Sequence, residues 1–320
     1  MLGEAPKVPA EVAQMPAKVV ALSDIEGNVT FLDAALAKLE ISDANGAWKF
    51  GSNQLVIVGD SVDRGRDVFA VLWRLYNLSQ QAHAAGGAVH VLLGNHEQYM
   101  LMGRVKSVNL EHAHGALRLG GLKSAFGADT ILGEWLRQLP VLVKIGPVLF
   151  THGGISPEVA AKNLTIAQIN GAMSGYWRGT TAASPQLEAA IGLGGLTQYR
   201  GYVRGKEFNL RVPTDQDVSD VLKAYGASTM VVGHTVVPKV AGQYNGRVFA
   251  IDVNDDTSAT EVLVFEDGVA RVVDFGVIRH VDPQQVTTLR PIMLTDSADW
   301  RALWALVTRT HELTKVPHPY

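Results

Sequence analysis

The sequence contains no cysteine among its 320 residues. This absence excludes disulfide bonds, thiolate metal ligands and any chemistry that needs a cysteine nucleophile. It does not by itself identify the compartment in which the chain works.

An excess of charge of one sign and long apolar runs are also missing. The formal net charge is −3, so no general basic surface predicts a nucleic-acid partner. No apolar run approaches the ~18–20 residues of a membrane span, and we expect no membrane partner. Residues 1–17 lack the basic start and apolar core of a signal peptide. The sequence as it stands predicts a cytoplasmic protein, or a periplasmic one if a signal peptide has been removed.

No stretch rich in Gly, Ser or Pro divides the middle of the chain, and 47% of the residues are hydrophobic. These features favour one elaborated domain over two. We predict a flexible segment over residues 1–17, a main domain over 18–280 and an extension over 281–320. Apolar residues at helical spacing predict a helix over Asp296–Glu312, which we expect to pack on the core. The sequence does not predict an oligomeric state.

Five apolar stretches, each predicted to be a strand, run directly into side chains that can bind metals. A single example would be weak, because a lone Asp at a strand end is usually a turn residue. Five in one chain are a specific signal, since ligands bind at the carboxyl ends of the strands of an α/β sheet. The strands and the residues that follow them are Lys18–Leu22 with Asp24 and Glu26, Gln54–Val58 with Asp60 and Asp63, Val89–Leu93 with Asn95 and His96, Val148–Thr151 with His152, and Met230–Val232 with His234.

The order of the predicted elements indicates an α/β fold. Strand, helix, strand, helix, strand up to Leu93 predicts two parallel crossover units, with a helix over Asp67–Ala85. Three hairpins are predicted later, over residues 142–151, 237–251 and 262–275. Together these patterns predict a two-sheet sandwich flanked by helices. Helical spacing over residues 155–193, away from the ligand-rich strand ends, predicts a helical cap over the site.

The ligand-rich motifs resemble those of the calcineurin-like metallophosphoesterases, close to the phosphoprotein phosphatases. The resemblance covers Lys18 to Asp252, and Leu196–Tyr202 more loosely resembles the bacterial Shewanella-like phosphatases. The motifs that carry it are Asp24-Ile25-Glu26, Gly59-Asp-Ser-Val-Asp-Arg-Gly65, Gly94-Asn-His-Glu97, His152-Gly-Gly154 and Gly233-His234. It implies two divalent metal ions and a helix-flanked sandwich.

The resemblance also implies a role for each ligand position. Asp60 would bridge the two metals, and Asp24 and Glu26 would complete the first site. Asn95, His152 and His234 would complete the second site with Asp60. A hydroxide that bridges the metals would attack the phosphorus of the substrate.

Four further residues receive catalytic roles from the resemblance. His96 would protonate the leaving oxygen while Asp63 holds its ring, although a structural hydrogen bond is the alternative for this pair. Arg64 would bind the phosphate oxygens through its planar set of donors. Arg200 matches more loosely, and a structural salt bridge is about as good an interpretation as phosphate contact.

Glu26 departs from the family pattern, which has histidine at this position. As a ligand, Glu26 would make the first site all-carboxylate, which favours Mn²⁺, with Mg²⁺, iron and zinc as alternatives. A second interpretation is that Glu26 turns away and the first site is weak or empty.

These features predict a metal-dependent phosphatase of phosphomonoesters, with phosphoproteins or small phosphate esters as substrates. The same chemistry allows a dinucleoside polyphosphate hydrolase, which would need a base-stacking aromatic residue such as Tyr176 or Trp177. A non-catalytic protein that binds phosphorylated ligands is the alternative from another class. His112 and His114 lie on a stretch with loop-like composition, which favours exposed histidines over residues that line the substrate mouth.

Overall fold

The computed structural model describes residues 6–104, 107–253 and 260–276, together with residues 297, 300, 301 and 304. Eleven strands in this part of the chain form two mixed sheets. The strands are β1 Glu11–Val12, β2 Lys18–Leu22, β3 Gln54–Ile57, β4 Ala88–Val91, β5 Leu142–Ile145, β6 Val148–Thr151, β7 Thr229–Val232, β8 Ala241–Gln243, β9 Val248–Ala250, β10 Glu261–Glu266 and β11 Val269–Asp274. One sheet has the order β1-β5-β6-β7-β9-β8, and the other has the order β11-β10-β2-β3-β4.

Helices connect and flank these strands. Their bounds are α1 Val29–Lys38, α2 Val68–Ala84, α3 Asn95–Leu101, α4 Leu110–Arg118, α5 Leu122–Ala125, α6 Ile131–Leu136, α7 Pro157–Ala160, α8 Ile166–Trp177, α9 Pro185–Ile191 and α10 Asp215–Ala224. α2 lies within the predicted helix, and its apolar residues at helical spacing, Val68, Val71, Leu72, Leu75 and Leu78, are buried.

The two crossover units are present as predicted. β2 pairs with β3 and β3 pairs with β4, both in parallel, and α1 and α2 make the connections. The three hairpins are also present, because β5 pairs with β6, β8 with β9 and β10 with β11, all antiparallel.

The two sheets share one hydrophobic core. Phe265 of β10 meets Phe150 of β6 edge to face, with 6.1 Å between the ring centroids. The ring centroid of Phe249 of β9 lies 6.5 Å from that of Phe265. Such contacts between large apolar rings are typical of face-to-face sheet packing. The predicted sandwich is therefore confirmed.

Two residues of the N-terminal segment that was predicted to be flexible form a strand. Glu11 and Val12 pair in parallel with Lys144 and Ile145 of β5, so this segment adds an edge strand to one sheet. A strand of two residues is too short for alternation of apolar and polar residues to reveal it.

The region predicted as a cap is helical and is attached to the first sheet. Asn170 of α8 accepts hydrogen bonds from the backbone N–H groups of Val141 and Leu142, at 2.9 and 3.1 Å, and donates to the carbonyl of Leu142 at 2.8 Å. Its role as a cap over the site stays a prediction.

Most of the predicted helix over Asp296–Glu312 lies outside the described residues. Trp300 and Trp304 are helical and are 51% and 68% exposed, and the packing of this helix on the core stays a prediction. Among the helices of the described ranges, none combines the length and apolar character that crossing a membrane requires.

Candidate metal centre

The first two motif loops lie side by side because they continue the pairing of β2 with β3. Backbone hydrogen bonds run from Asp24 N to Gly59 O at 3.1 Å and from Glu26 N to Asp60 O at 2.9 Å. Parallel strands end at the same edge of a sheet, so their carboxylates are brought together.

Two glycines allow the remaining loops to approach this edge. A Cβ atom on Gly94 would lie 2.1 Å from Asp60 Oδ1, and one on Gly233 would lie 2.5 Å from Asp24 Oδ2. No other residue type fits such a close approach. These glycines therefore set the distance between the loops that carry the predicted ligands.

Four of the predicted metal ligands form a buried cluster. Asp60, His152 and His234 each offer one ligand atom, and these atoms all lie within 4.8 Å of one another. His152 Nε2 lies 3.0 Å from Asp60 Oδ2 and 3.0 Å from Asn95 Oδ1. His152 Nδ1 lies 2.8 Å from the carbonyl of Val58, which fixes the ring and directs Nε2 toward the cluster.

Asp24 and Glu26 lie at the side of this cluster. Asp24 Oδ2 accepts a hydrogen bond from the backbone N–H of His234 at 3.1 Å and another from the hydroxyl of Ser23. The carboxylate of Glu26 forms an ion pair with the guanidinium of Arg64. The structure thus brings Glu26 to the site but places its carboxylate on Arg64. Its role as a metal ligand stays a prediction.

The cluster fits divalent metal ions. Burial, above all, raises the pKa of Asp24 and of Glu26 to about 7, because their negative charges are poorly solvated and lie near Asp60. His234 Nε2 is buried and has no hydrogen-bond partner among the described residues. Carboxylate, amide and imidazole donors of this kind suit Mn²⁺, Fe²⁺ or Zn²⁺. A cation would stabilise these carboxylates and provide a partner for the imidazole.

His96 and Asp63 form a buried pair next to the cluster. His96 Nδ1 lies 2.6 Å from Asp63 Oδ2, and His96 Nε2 lies 3.9 Å from Asp60 Oδ2. Burial lowers the pKa of His96, but the charge of Asp60 and the hydrogen bond and charge of Asp63 outweigh it and raise the pKa to about 9. The two carboxylates thus favour the protonated imidazole, which is the form that can donate a proton.

Two arginines border the same cluster. Arg64 Nη2 lies 3.4 Å from His96 Nε2, and its side chain is half exposed. Arg200 donates to the carbonyl of His234 at 2.5 Å and to the hydroxyl of Thr235 at 3.2 Å, and it lies over the ring of Phe208. All ten predicted site residues are thus at or beside one centre.

Glu97 has a structural role that the sequence analysis did not assign. Its buried carboxylate accepts hydrogen bonds from the backbone N–H groups of Asp60 at 3.0 Å, Ser61 at 2.6 Å and Gly94 at 2.7 Å. It therefore joins the loop after β3 to the start of α3. The signal was present, because a glutamate three residues after a helix N-cap commonly accepts from the cap backbone.

The expectation that His112 and His114 are exposed loop residues is wrong. Both lie on α4, and His112 is buried, with its ring centroid 5.0 Å from that of Phe69. Asn109 caps this helix by accepting a hydrogen bond from Glu111 N at 2.9 Å. This cap is a helix-start signal that the loop-like composition obscured.

Several site residues have an unusual backbone conformation. Non-glycine residues with positive φ are uncommon, and the left-handed region costs about 1–2 kcal/mol per residue. Those at the site are Asp24, Glu26, Asp60, Asp63, Arg64 and His234, with φ between 48° and 75°. Such backbone strain concentrates at functional sites.

The fold and the buried donor cluster define a metal-dependent phosphoesterase. The family model for the calcineurin-like phosphoesterases matches residues 17–238. The chain belongs to this family, as the motifs predicted.

Three similar proteins are informative. A cold-active protein-tyrosine phosphatase of a psychrophilic Shewanella species superposes with a TM-score of 0.72 at 34% identity, over 83% of this chain and 82% of the other. Shewanella-like protein phosphatase 1 of Plasmodium berghei is 26% identical over 255 residues, which is 73% of this chain and 66% of that protein. A symmetrical bis(5'-nucleosyl)-tetraphosphatase of Janthinobacterium is 28% identical over 141 residues, covering 44% of this chain and 45% of that protein. The chain thus spans just under two thirds of the Plasmodium relative.

These relatives bear on two predictions. The predicted fold class is confirmed by the Shewanella structure, which superposes on 83% of this chain. The family and its phosphatase members support a hydrolase that acts on phosphate esters and uses divalent metals.

Proposed function

We propose that the chain is a metal-dependent phosphomonoesterase whose substrates are phosphorylated side chains of proteins. The observation that carries the proposal is the buried His96, held by Asp63 at 2.6 Å beside a cluster of metal-binding donors. The substrate class is supported by the two phosphatases of proteins among the relatives.

We infer that two divalent ions bind at this centre and that Mn²⁺ is the preferred one. The residues that would hold them are Asp24, Asp60, Asn95, His152 and His234, with Glu26 at the edge of the set. When bound, such ions activate water as a nucleophile and neutralise charge on the phosphate.

His96 supplies the proton for the leaving group. Its Nδ1 is engaged by Asp63, so Nε2 is the atom that faces the centre. Asp63 fixes the ring orientation and favours the protonated form. General-acid catalysis of this kind accelerates a reaction by about 10²–10⁴-fold.

Arg64 and Arg200 orient the phosphate. A guanidinium presents paired N–H donors that match phosphate oxygens. Arg200 is held in place by the carbonyl of His234 at 2.5 Å, so it is positioned before substrate arrives. Arg64 pairs with Glu26 through Nη1, and release from that contact would free this nitrogen for the phosphate.

A substrate panel tests the proposal. The purified protein is assayed with and without Mn²⁺ on a chromogenic phosphate ester, on phosphotyrosine, phosphoserine and phosphothreonine peptides, and on a dinucleoside polyphosphate. We expect Mn²⁺-dependent hydrolysis of the monoesters, fastest for phosphotyrosine because the Shewanella neighbour is a protein-tyrosine phosphatase. An Asp60→Asn variant purified in parallel must lose this activity, which controls for contaminating phosphatases.

Hydrolysis of dinucleoside polyphosphates is the second candidate, because the Janthinobacterium relative has this activity by name. This activity would need an aromatic side chain that is free to stack on a base, and the structure does not favour Tyr176 or Trp177 for that role. Tyr176 and Trp177 contact each other edge to face at 5.0 Å, are half-buried and pack against the core. Trp177 also donates its ring N–H to the sulfur of Met173. Preferential cleavage of the dinucleotide in the panel would nevertheless establish this candidate.

A phospho-ligand binding protein without turnover is opposed by the His96–Asp63 pair, because a binding site has no need of a leaving-group acid. Absence of hydrolysis of every substrate with any of Mn²⁺, Mg²⁺, Fe²⁺ and Zn²⁺ would favour the binding protein over both enzymes.

A further inference from the structure

A buried histidine within electrostatic range of Asp63 has no role in the proposed function. His112 of α4 is 4% exposed, and neither of its ring nitrogens has a hydrogen-bond partner among the described residues. Buried polar groups are nearly always hydrogen-bonded, so two unmatched nitrogens in one ring are exceptional. They point to an interaction that ordinary packing does not account for.

Asp63 has a matching unsatisfied atom. Its Oδ2 contacts His96, while its Oδ1 is buried without a partner within the described ranges. The negative charge of Asp63 also acts on His112: burial lowers the pKa of His112 to about 4, and Asp63 acts in the opposite direction. His112 is therefore neutral near pH 7 and carries one N–H donor, while Asp63 Oδ1 lacks a donor.

Helix α4 is fixed against the loop that carries Asp63. The backbone N–H of Arg64 donates to Ser107 O at 3.0 Å, just before the helix begins. Arg66 and Glu111 form an ion pair at 3.8 Å. The ring of His112 packs against Phe69 at 5.0 Å. The position of His112 relative to Asp63 is thus set by three separate contacts.

We propose that His112 is a positioning residue for catalysis, whose ring N–H holds Asp63 Oδ1 through one bridging water, so that Oδ2 stays aligned with His96. The proposal rests on the proposed function, since it concerns the same leaving-group acid. His112 does not touch the substrate. It acts through Asp63 on the orientation of the His96 ring.

Two replacements separate positioning from packing. His112→Phe keeps an aromatic ring against Phe69 and Phe126 but removes the N–H donor. His112→Gln keeps an N–H donor of similar reach. His114→Phe is the matched control, because residues two apart on a helix lie on different faces.

The first measurement is turnover with esters of good and poor leaving groups. A poor leaving group needs the proton from His96, whereas a nitrophenolate does not. We expect His112→Phe to reduce turnover of an alkyl phosphate by about 10- to 100-fold, as for a misplaced catalytic group, and to change nitrophenyl phosphate turnover little. His112→Gln should recover most of the loss. In an Asp63→Asn background, His112→Phe should add no further loss, because the residue through which it acts is already altered.

Equal losses for both esters, no recovery by His112→Gln, or a full additional loss in the Asp63→Asn background would each overturn the proposal.

The second measurement does not depend on activity. In the metal-free protein, the proton between His96 Nδ1 and Asp63 gives a downfield proton NMR signal, identified by its loss in Asp63→Asn. We expect His112→Phe to shift or broaden this signal and His112→Gln and His114→Phe to leave it in place. An unchanged signal in His112→Phe would refute the positioning role. If His112→Phe does not fold, the same measurements on His112→Leu and His112→Gln decide, with a loss expected for Leu alone.

The two hypotheses fail in different ways. If the wild-type protein hydrolyses no ester with any metal, the proposed function is wrong, and the NMR comparison still tests the contact. If the wild-type protein is active and His112→Phe matches it on both esters, only the role of His112 is wrong.

Discussion

Glu26 is the position at which the sequence and the structure lead to different expectations. The sequence predicts a metal ligand, and the structure places the carboxylate against Arg64. Glu26→Gln keeps the size of the side chain and removes its charge. Because Glu26 contacts Arg64 in the structure, we expect this variant to retain its metals and to release Arg64 for contact with phosphate.

The expected gain in phosphate affinity follows from the solvent exposure of Arg64. The Arg64 side chain is 52% exposed, so its ion pair with Glu26 contributes about 0.5–1 kcal/mol. Release of that contact should strengthen phosphate binding by about 2- to 5-fold. Residues that support metal ligands typically contribute about 10–100-fold to metal affinity. If Glu26 is instead a ligand itself, its loss should weaken metal affinity by at least that factor.

Two assays separate these outcomes. Metal titration with elemental analysis gives affinity and stoichiometry, and inhibition by inorganic phosphate at saturating Mn²⁺ gives the phosphate affinity. Glu111→Gln is the matched control, because Glu111 also pairs with an arginine of this loop, Arg66, at 3.8 Å. A tenfold or larger loss of metal affinity in Glu26→Gln, with Glu111→Gln unchanged, would refute the structural expectation and establish Glu26 as a ligand.

Three further predictions concern the acid, the bridge and the attachment of α8. His96→Ala should reduce turnover of poor-leaving-group esters by about 10²–10⁴-fold and of activated esters much less; equal losses in steady-state assays would remove it from that role. Asp60→Asn should abolish most metal binding, because the charge shared by both proposed sites is lost, and two retained metals by elemental analysis would contradict this. Asn170→Leu should lower the free energy of unfolding by about 2–4 kcal/mol, since three hydrogen bonds to residues 141 and 142 are lost. Urea unfolding measures it against the exposed control Gln216→Leu, and a loss no larger than that of the control would mean that α8 is held otherwise.

Much of the sandwich could be predicted because most of its strands are short apolar runs bounded by turns. The run Gln54–Val58 is continuously apolar, the helix at Val68–Ala84 shows a helical period, and Gly146 marks a hairpin. Elements with weak local signals were missed. The edge strand Glu11–Val12 exists only through its pairing with β5, and tertiary contacts of that kind leave no pattern in so short a segment.

The site shows the same division. Asp60, His152 and His234 could be predicted as a group because each follows a buried strand, and strand ends converge. The contact between Glu26 and Arg64 could not, because it depends on side-chain rotamers across two loops. The burial of His112 was also missed, since it depends on how α4 docks on Phe69.

The left-handed backbone at the ligand-bearing residues has a consequence for selection. Glycine at Asp24, Asp60, Asp63 or His234 would relieve local strain, since it adopts positive φ without steric conflict. The same change would delete a donor or the partner of the acid. Where the relieved strain outweighs the hydrogen bonds that the side chain makes, mutations that make this protein more heat-resistant and mutations that inactivate it therefore overlap. A laboratory evolution experiment that screens for thermal resistance alone should accumulate inactive variants here first, whereas one that alternates screens for turnover and resistance should leave them untouched.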